Sequence, residues 1–90
     1  MEDEEEGVVS SVNSLRTIWV DKDSEYHRLH GPAVEYSSGD CSWYRHGQRH
    51  RDDGPAKYWP SEDIVEWYKH GERYEPTAHE IIAWKMKKEG

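Results

Sequence analysis

Residues 27–33 read His-Arg-Leu-His-Gly-Pro-Ala, and residues 50–56 read His-Arg-Asp-Asp-Gly-Pro-Ala. A second block follows each copy: Trp-Tyr-Arg-His-Gly at residues 43–47 and Trp-Tyr-Lys-His-Gly at residues 67–71. The first block recurs after 23 residues and the second after 24, so the later copy contains one extra residue. A repeat of this length is typical of a small supersecondary unit that buries its apolar face on a neighbouring copy.

Each copy predicts short strands separated by tight turns, because β-branched and aromatic residues alternate with segments rich in Gly, Ser, Asp and Pro. Leu15–Val20, ahead of the repeats, alternates in the same way and predicts a further strand. The strands predicted within the repeats are Ala33–Tyr36, Cys41–Arg45, Gln48–Arg51, Lys57–Trp59 and Ile64–Lys69. The predicted fold class is therefore mainly β, an antiparallel β-meander of hairpin repeats.

The segments outside the repeats set the rest of the domain organisation. Residues 1–13 begin with an acidic block and are expected to form a flexible acidic tail. Residues 14–76 are expected to form the meander, with two full repeats at 27–49 and 50–73 and a degenerate one at 17–26. Thr77 and Glu80 form a capping box ahead of an apolar stripe, which predicts a single C-terminal α-helix over residues 77–88.

Composition indicates an aromatic core and a soluble protein. Leu, Ile and Val are few and Phe is absent, whereas five Trp and six Tyr are present, so the large buried surfaces must come from aromatic rings. The one cysteine forms no internal disulfide, and no apolar run is long enough for a membrane span. We expect a cytoplasmic protein that does not bind a membrane.

The paired motifs resemble the MORN-like repeats of phage and giant-virus proteins, whose pattern is His-Arg-x-Asp-Gly-Pro-Ala followed by Trp-Tyr-x-x-Gly. The match covers residues 27–71 well, residues 18–26 poorly and the two ends not at all. His30 and Glu62 depart from the pattern. The resemblance implies a meander of hairpins that serves as a binding surface, and it implies no reaction.

Neither an enzyme nor a metal protein is expected. No serine elbow, P-loop, zinc helix or Cys-His arrangement occurs in the sequence. The histidines His27 and His50 hold equivalent repeat positions, as His46 and His70 do, which duplication of a structural unit explains. With one cysteine the ligand set for zinc is poor, so we expect no metal and no cofactor.

The repeat places a candidate binding surface on the strands. Adjacent strand residues point to opposite faces, so one face is expected to carry a ladder of aromatic rings. Interfaces between proteins favour Trp, Tyr and Arg. The residues predicted to bind a partner are Tyr44, Arg45, His46, Arg49, Arg51, Trp59, Tyr68 and His70. An alternative set for a nucleotide is Trp43, Arg49, His50 and Arg51.

The expected function is a non-enzymatic protein-binding module, phage-encoded, that inhibits a host protein or a defence complex in the manner of an anti-CRISPR protein. Small size, the acidic charge of −7 and the viral type of the resemblance motivate this expectation. Direct binding of nucleic acid is not expected of an acidic chain. The alternatives are a module that sequesters a nucleotide or nucleic acid, and a structural repeat protein that self-assembles as a homo-oligomer.

Overall fold

The computed structural model describes residues 5–89, which form nine β-strands and one α-helix. Residues 1–4, part of the predicted acidic tail, lie outside the described residues. The elements are β1 (Val8–Val12), β2 (Arg16–Val20), β3 (Val34–Tyr36), β4 (Cys41–Ser42), β5 (Tyr44–Arg45), β6 (Gln48–Arg49), β7 (Lys57–Trp59), β8 (Ile64–Lys69), β9 (Glu72–Tyr74) and α1 (Ala78–Glu89).

Seven of these strands form one open antiparallel sheet in the order β1-β2-β3-β4-β7-β8-β9. Strands β5 and β6 form a separate hairpin that leaves the sheet between β4 and β7. Each strand of the large sheet pairs with its nearest neighbour in the chain once this hairpin is set aside. The predicted mainly β, antiparallel fold with one C-terminal helix is confirmed.

The prediction of a flexible tail through residue 13 is wrong for residues 8–12, which form β1. Val8 pairs with Val20 and Val12 with Thr17, with a bulge between Val9 and Ser11. β-Branched residues favour a pleated strand once a neighbour supplies the hydrogen bonds. The acidic block that precedes these residues led to the wrong prediction, because its charge indicates a solvated segment.

The predicted strand Cys41–Arg45 is interrupted at Trp43, between β4 and β5. The backbone N–H of Trp43 donates to the carbonyl of Ala56 over 2.7 Å, while its own carbonyl accepts from the N–H of His50 over 3.1 Å. The chain therefore changes pairing partner at the indole, from β7 to β6. This change allows the first full repeat to project the β5–β6 hairpin out of the sheet.

Register divides the strand side chains into two faces. Ile18, Val34, Ser42, Lys57 and Glu66 lie in one row across the sheet, because each is the direct partner of the next. We call this side of the sheet the tyrosine face. Alternation along the strands places further rings and cations on it, namely Arg16, Tyr36, Tyr44, Arg49, Trp59, Tyr68 and Arg73. The opposite side contains Trp19, Trp43 and Trp67 and is called the tryptophan face.

Helix α1 packs on the tryptophan face. The side chain of Thr77 accepts from the N–H of Glu80, and the Glu80 carboxylate accepts from the N–H of Thr77, so the predicted capping box is present. Trp84 packs edge to face against Tyr58 and Trp67, with ring centroids 5.6 Å and 6.1 Å apart. The helix thus covers the tryptophan face of β7 and β8.

The interior is small and unusually polar. The buried apolar residues are Ile18, Ala33, Val34, Ala56 and Trp67. The buried polar residues are Asp21, His27, Asp40, Ser42 and His50. Because buried polar groups cost free energy unless they form hydrogen bonds, the fold depends on the hydrogen bonds of this second group. Among residues 5–89, no helix is long and apolar enough to cross a bilayer.

Candidate functional site

The buried histidine of the second repeat is part of the scaffold. Nδ1 of His50 accepts from the backbone N–H of His70 over 2.9 Å, and Nε2 lies 3.0 Å from a carboxylate oxygen of Asp52. This pairing requires the proton to be on Nε2. Burial lowers the pKa of His50, and the Arg45 and His70 side chains lower it further, although the Asp52 carboxylate opposes them. The ring is therefore a neutral structural group near neutral pH.

The first repeat repeats this arrangement. Nδ1 of His27 accepts from the backbone N–H of His46 over 3.0 Å, and Nε2 lies 2.8 Å from the carbonyl oxygen of Glu5. Nδ1 of His46 lies 2.6 Å from a carboxylate oxygen of Asp21. Burial tends to raise the pKa of Asp21, but hydrogen bonds from the Glu25 backbone, the His46 ring and the Asp23 backbone outweigh it and lower the pKa.

Asp21, His27 and His46 offer ligand atoms within 4.8 Å of one another, a span that one metal ion could bridge. Both ring nitrogens of His27 already form hydrogen bonds within the fold. A metal would have to break one of these bonds at a residue that is 0% exposed. Zinc also requires about four ligands in a closed site. The geometry therefore does not favour a metal here, and the expectation of none stays a prediction.

Arg28 and Arg51, which follow His27 and His50, each cover a tryptophan earlier in the chain. The Arg28 guanidinium carbon lies 4.0 Å from the centroid of Trp19, and that of Arg51 lies 3.9 Å from the centroid of Trp43. These are cation–π contacts of short range. Each guanidinium also donates to the carbonyl of the repeat's proline, as Arg51 does to Pro55 over 3.2 Å.

The nucleotide-binding alternative loses support from these contacts. The indole face of Trp43 that would stack on a base is covered by Arg51, which also pairs with Asp53 over 2.9 Å. His50 is 5% exposed and has both nitrogens in hydrogen bonds. Of the predicted nucleotide-binding residues, only Arg49 lies in a different environment, on the tyrosine face.

The tyrosine face has a ladder of rings at its hairpin end. Tyr26 contacts Tyr44 edge to face at 5.2 Å between centroids. The Arg49 guanidinium carbon lies 5.2 Å from the Tyr44 centroid and 5.4 Å from that of Tyr68, so one cation bridges two rings. Tyr68 Oη donates to the Glu66 carboxylate over 3.0 Å. These rings are half-buried or exposed, with Tyr26 42% exposed.

A second cluster lies at the other end of the same face. Trp59 Nε1 donates to the hydroxyl of Ser42 over 3.1 Å, which lays the indole across the sheet. Tyr36 meets Trp59 edge to face at 6.3 Å, and Lys57 Nζ lies 4.3 Å from the Trp59 centroid. The two clusters give this face two cations that are held over aromatic rings.

The structure brings four of the eight predicted partner-binding residues onto one face: Tyr44, Arg49, Trp59 and Tyr68. The other four lie elsewhere. Arg45 points to the opposite side and pairs with Asp52 over 3.5 Å. His46 and His70 occupy tight turns with φ of 47° and 52°, and Arg51 is stacked on Trp43. Which of the eight contact a partner stays a prediction.

The predicted site residues omit several members of the tyrosine face, among them Tyr26 and Lys57. Tyr26 precedes His27 as Arg49 precedes His50, so aligning the two copies one residue further upstream would have placed it beside the ladder. Lys57 follows the second Gly-Pro-Ala block where the first copy has Val34. The repeat pattern therefore does not predict a cation at position 57. Its cation–π contact becomes visible only from the position of the Trp59 ring.

Compared with known proteins, the chain matches no family model, no curated protein and no solved structure. The resemblance to MORN-like repeats thus stays an interpretation of the repeated motif.

Proposed function

We propose that this chain is a non-enzymatic protein-binding module whose contact surface is the tyrosine face. The observation that carries the proposal is the bridge formed by Arg49 between Tyr44 and Tyr68. Rings and guanidinium groups dominate the binding energy of protein interfaces. Here they are held in place before a partner arrives, which reduces the side-chain entropy that binding must overcome.

The other face differs in how its cations and indoles are used. Arg28 and Arg51, which cover Trp19 and Trp43, are paired with Glu6 and Asp53, and Trp67 is buried against Trp84. The rings of the tyrosine face are half-buried or exposed. The absence of a catalytic motif in the sequence supports the non-enzymatic part of the proposal.

The narrower proposal is a phage-encoded inhibitor of a host protein or defence complex, acting in the host cytoplasm. It is supported by the repeat motif, the short chain and the acidic charge of −7. The geometry of the tyrosine face does not bear on it. Its test is an activity assay of the captured host complex with and without the purified chain. An unchanged activity at saturating chain would contradict inhibition while leaving the binding proposal intact.

The binding proposal is tested by affinity capture from cell lysate with matched variants. Tyr44→Ser combined with Tyr68→Ser removes two rings of the tyrosine face. Ile82→Ser removes an exposed apolar side chain from the helix, away from the tyrosine face, where Ile82 is 56% exposed. We expect a protein captured by the natural chain and by Ile82→Ser to be lost with the double variant, with circular dichroism confirming that both fold. Equal capture by all three chains would overturn the tyrosine face as the contact surface.

Self-assembly is a second candidate, and β1 favours it. This strand is an edge of the sheet, and Val8 and Val12 on it are 63% and 66% exposed. An apolar edge strand without Lys or Pro is a template for pairing with another chain. Light scattering tests this candidate: a dimer that becomes a monomer in Val8→Lys/Val12→Lys would support it, and a monomeric natural chain would exclude it.

A further inference from the structure

The tyrosine face differs in charge from the rest of the molecule. Its charged strand residues, by register, are Arg16, Arg49, Lys57, Arg73 and Glu66. Those on the tryptophan face are Glu35, Arg45, Lys69 and Glu72. Among the described strands, the first face thus has four cations and one carboxylate, whereas the second is balanced. The whole chain has a formal charge of −7, so positive charge is concentrated on one side of the sheet.

Arg73 pairs with Glu75 over 4.0 Å, but two other cations of this face have no ion-pair partner among the described residues. Among residues 5–87, Arg49 and Lys57 take part in cation–π contacts and in no ion pair. Nε of Arg49 is buried and has no hydrogen-bond acceptor among those residues. The neighbouring carboxylate of Glu66 accepts from Tyr68. Both cations are therefore held in place beside rings and remain able to pair with an anion from outside.

We propose, on the basis of the protein-binding function proposed above, that the partner presents an acidic polypeptide segment to the tyrosine face. Its carboxylates pair with Arg49 and Lys57, and its apolar groups contact the rings between them. Charge-assisted hydrogen bonds from an arginine to a carboxylate are among the strongest available to proteins. Partial desolvation by Tyr44 and Tyr68 increases their strength, because the local dielectric constant is lower than that of water.

A polypeptide partner is favoured over single-stranded nucleic acid because cations already contact the ring faces on which bases would stack. Single-strand binders stack successive bases on open ring faces. Here the faces of Tyr44 and Tyr68 meet the Arg49 guanidinium, and Trp59 has Lys57 over its ring and lies across Ser42. A peptide carboxylate needs only the exposed part of the cation.

The test uses fluorescence anisotropy with a labelled dodecaglutamate peptide at low and at physiological ionic strength. We expect binding that weakens with salt, and a loss of about tenfold in affinity for Arg49→Gln. Lys57→Gln should weaken binding as well. The matched control is Lys69→Gln, because Lys69 lies 5.3 Å from the Tyr74 ring centroid on the opposite face, so the variant removes the same charge from the same kind of contact.

The outcomes separate this inference from the proposed function. Equal losses for Lys57→Gln and Lys69→Gln would show a nonspecific charge effect and overturn the inference. Tighter binding of a thymidine dodecamer than of the peptide would replace it with a nucleic-acid surface. If no acidic peptide binds but Tyr44→Ser/Tyr68→Ser still abolishes capture of a protein, the proposed function stands and the acidic partner is excluded. If the peptide binds but Tyr44→Ser/Tyr68→Ser captures protein as well as the natural chain does, the tyrosine face binds acidic peptides but is excluded as the surface that captures the protein.

Discussion

The ring of His50 accepts a hydrogen bond from the backbone N–H of His70, which lies one hairpin later in the chain. The same bond joins His27 to His46 in the first repeat. In both cases the acceptor is Nδ1 of a buried imidazole, and the donor is the first residue of a His-Gly turn with positive φ. The histidine that opens each repeat therefore holds the turn that closes it.

Replacing His27 by Ala should lower the free energy of unfolding by about 3 kcal/mol. The change leaves the N–H of His46 and the carbonyl of Glu5 without partners and opens a cavity at a fully buried position. Urea denaturation followed by tryptophan fluorescence measures the effect. His79→Ala, at an exposed position of the helix, is the control and should change stability little. Similar losses for the two variants would show that His27 does not hold the turn.

Replacing Thr77 by Ala should lower the free energy of unfolding by about 1 kcal/mol. Its hydroxyl accepts from the N–H of Glu80 over 3.1 Å and satisfies a donor that the first helical turn cannot pair. Ser14→Ala, at an exposed turn residue, is the matched control. Helix content from circular dichroism and the urea midpoint give the readout. An unchanged midpoint would mean that packing of the helix on the sheet alone fixes its start.

The strands of the two repeats could be predicted from the sequence because their signals are local. Alternation at Ile64–Lys69, the turn residues Ser37–Asp40 and the capping pair Thr77 and Glu80 each lie within a few residues of the structure they specify. Strand β1 could not be predicted in this way. Its stability depends on β2 beyond an intervening turn, and the acidic block beside it suggests solvation.

The candidate site was predictable only in part, for a similar reason. The alternation of Trp43 and Tyr44 predicts that they point to opposite faces, and register confirms it. The sequence does not show which guanidinium covers which ring. Arg49 and Arg51 are two residues apart, yet one bridges tyrosines and the other stacks on Trp43. Arg49 lies in β6 of the hairpin, whereas Arg51 lies beyond the end of that strand.

His50 should make stability depend on pH between about 7 and 5. Burial lowers its pKa in the folded state, so below the ordinary value of about 6.5 the unfolded chain binds a proton that the folded chain excludes. Its contribution is therefore present above that pH and is lost as pH falls. Urea midpoints at several pH values should show the difference between the natural chain and His50→Asn shrinking toward pH 5. A difference that is constant across this range would contradict the lowered pKa.

Replacing Gly54 by Ala should cost about 1–3 kcal/mol of stability, and more than Gly31→Ala at the equivalent position. A Cβ on Gly54 would lie 2.7 Å from Cζ of Arg51 and 2.9 Å from Cδ1 of Trp84. A Cβ on Gly31 would lie 2.7 Å from Cζ of Arg28, the end of a flexible side chain. Only the second repeat has the helix against this loop.

A double-mutant cycle shows whether the helix causes this excess cost. Gly54→Ala should destabilise less in a Trp84→Ala background than in the natural chain, because the indole that its Cβ would strike is gone. Gly31→Ala should cost the same in both backgrounds, since Trp84 is not among the atoms near its Cβ. Urea midpoints of the five variant chains and the natural chain complete the cycle. Additive effects at Gly54 would place the strain at Arg51 alone and leave the helix without a role in it.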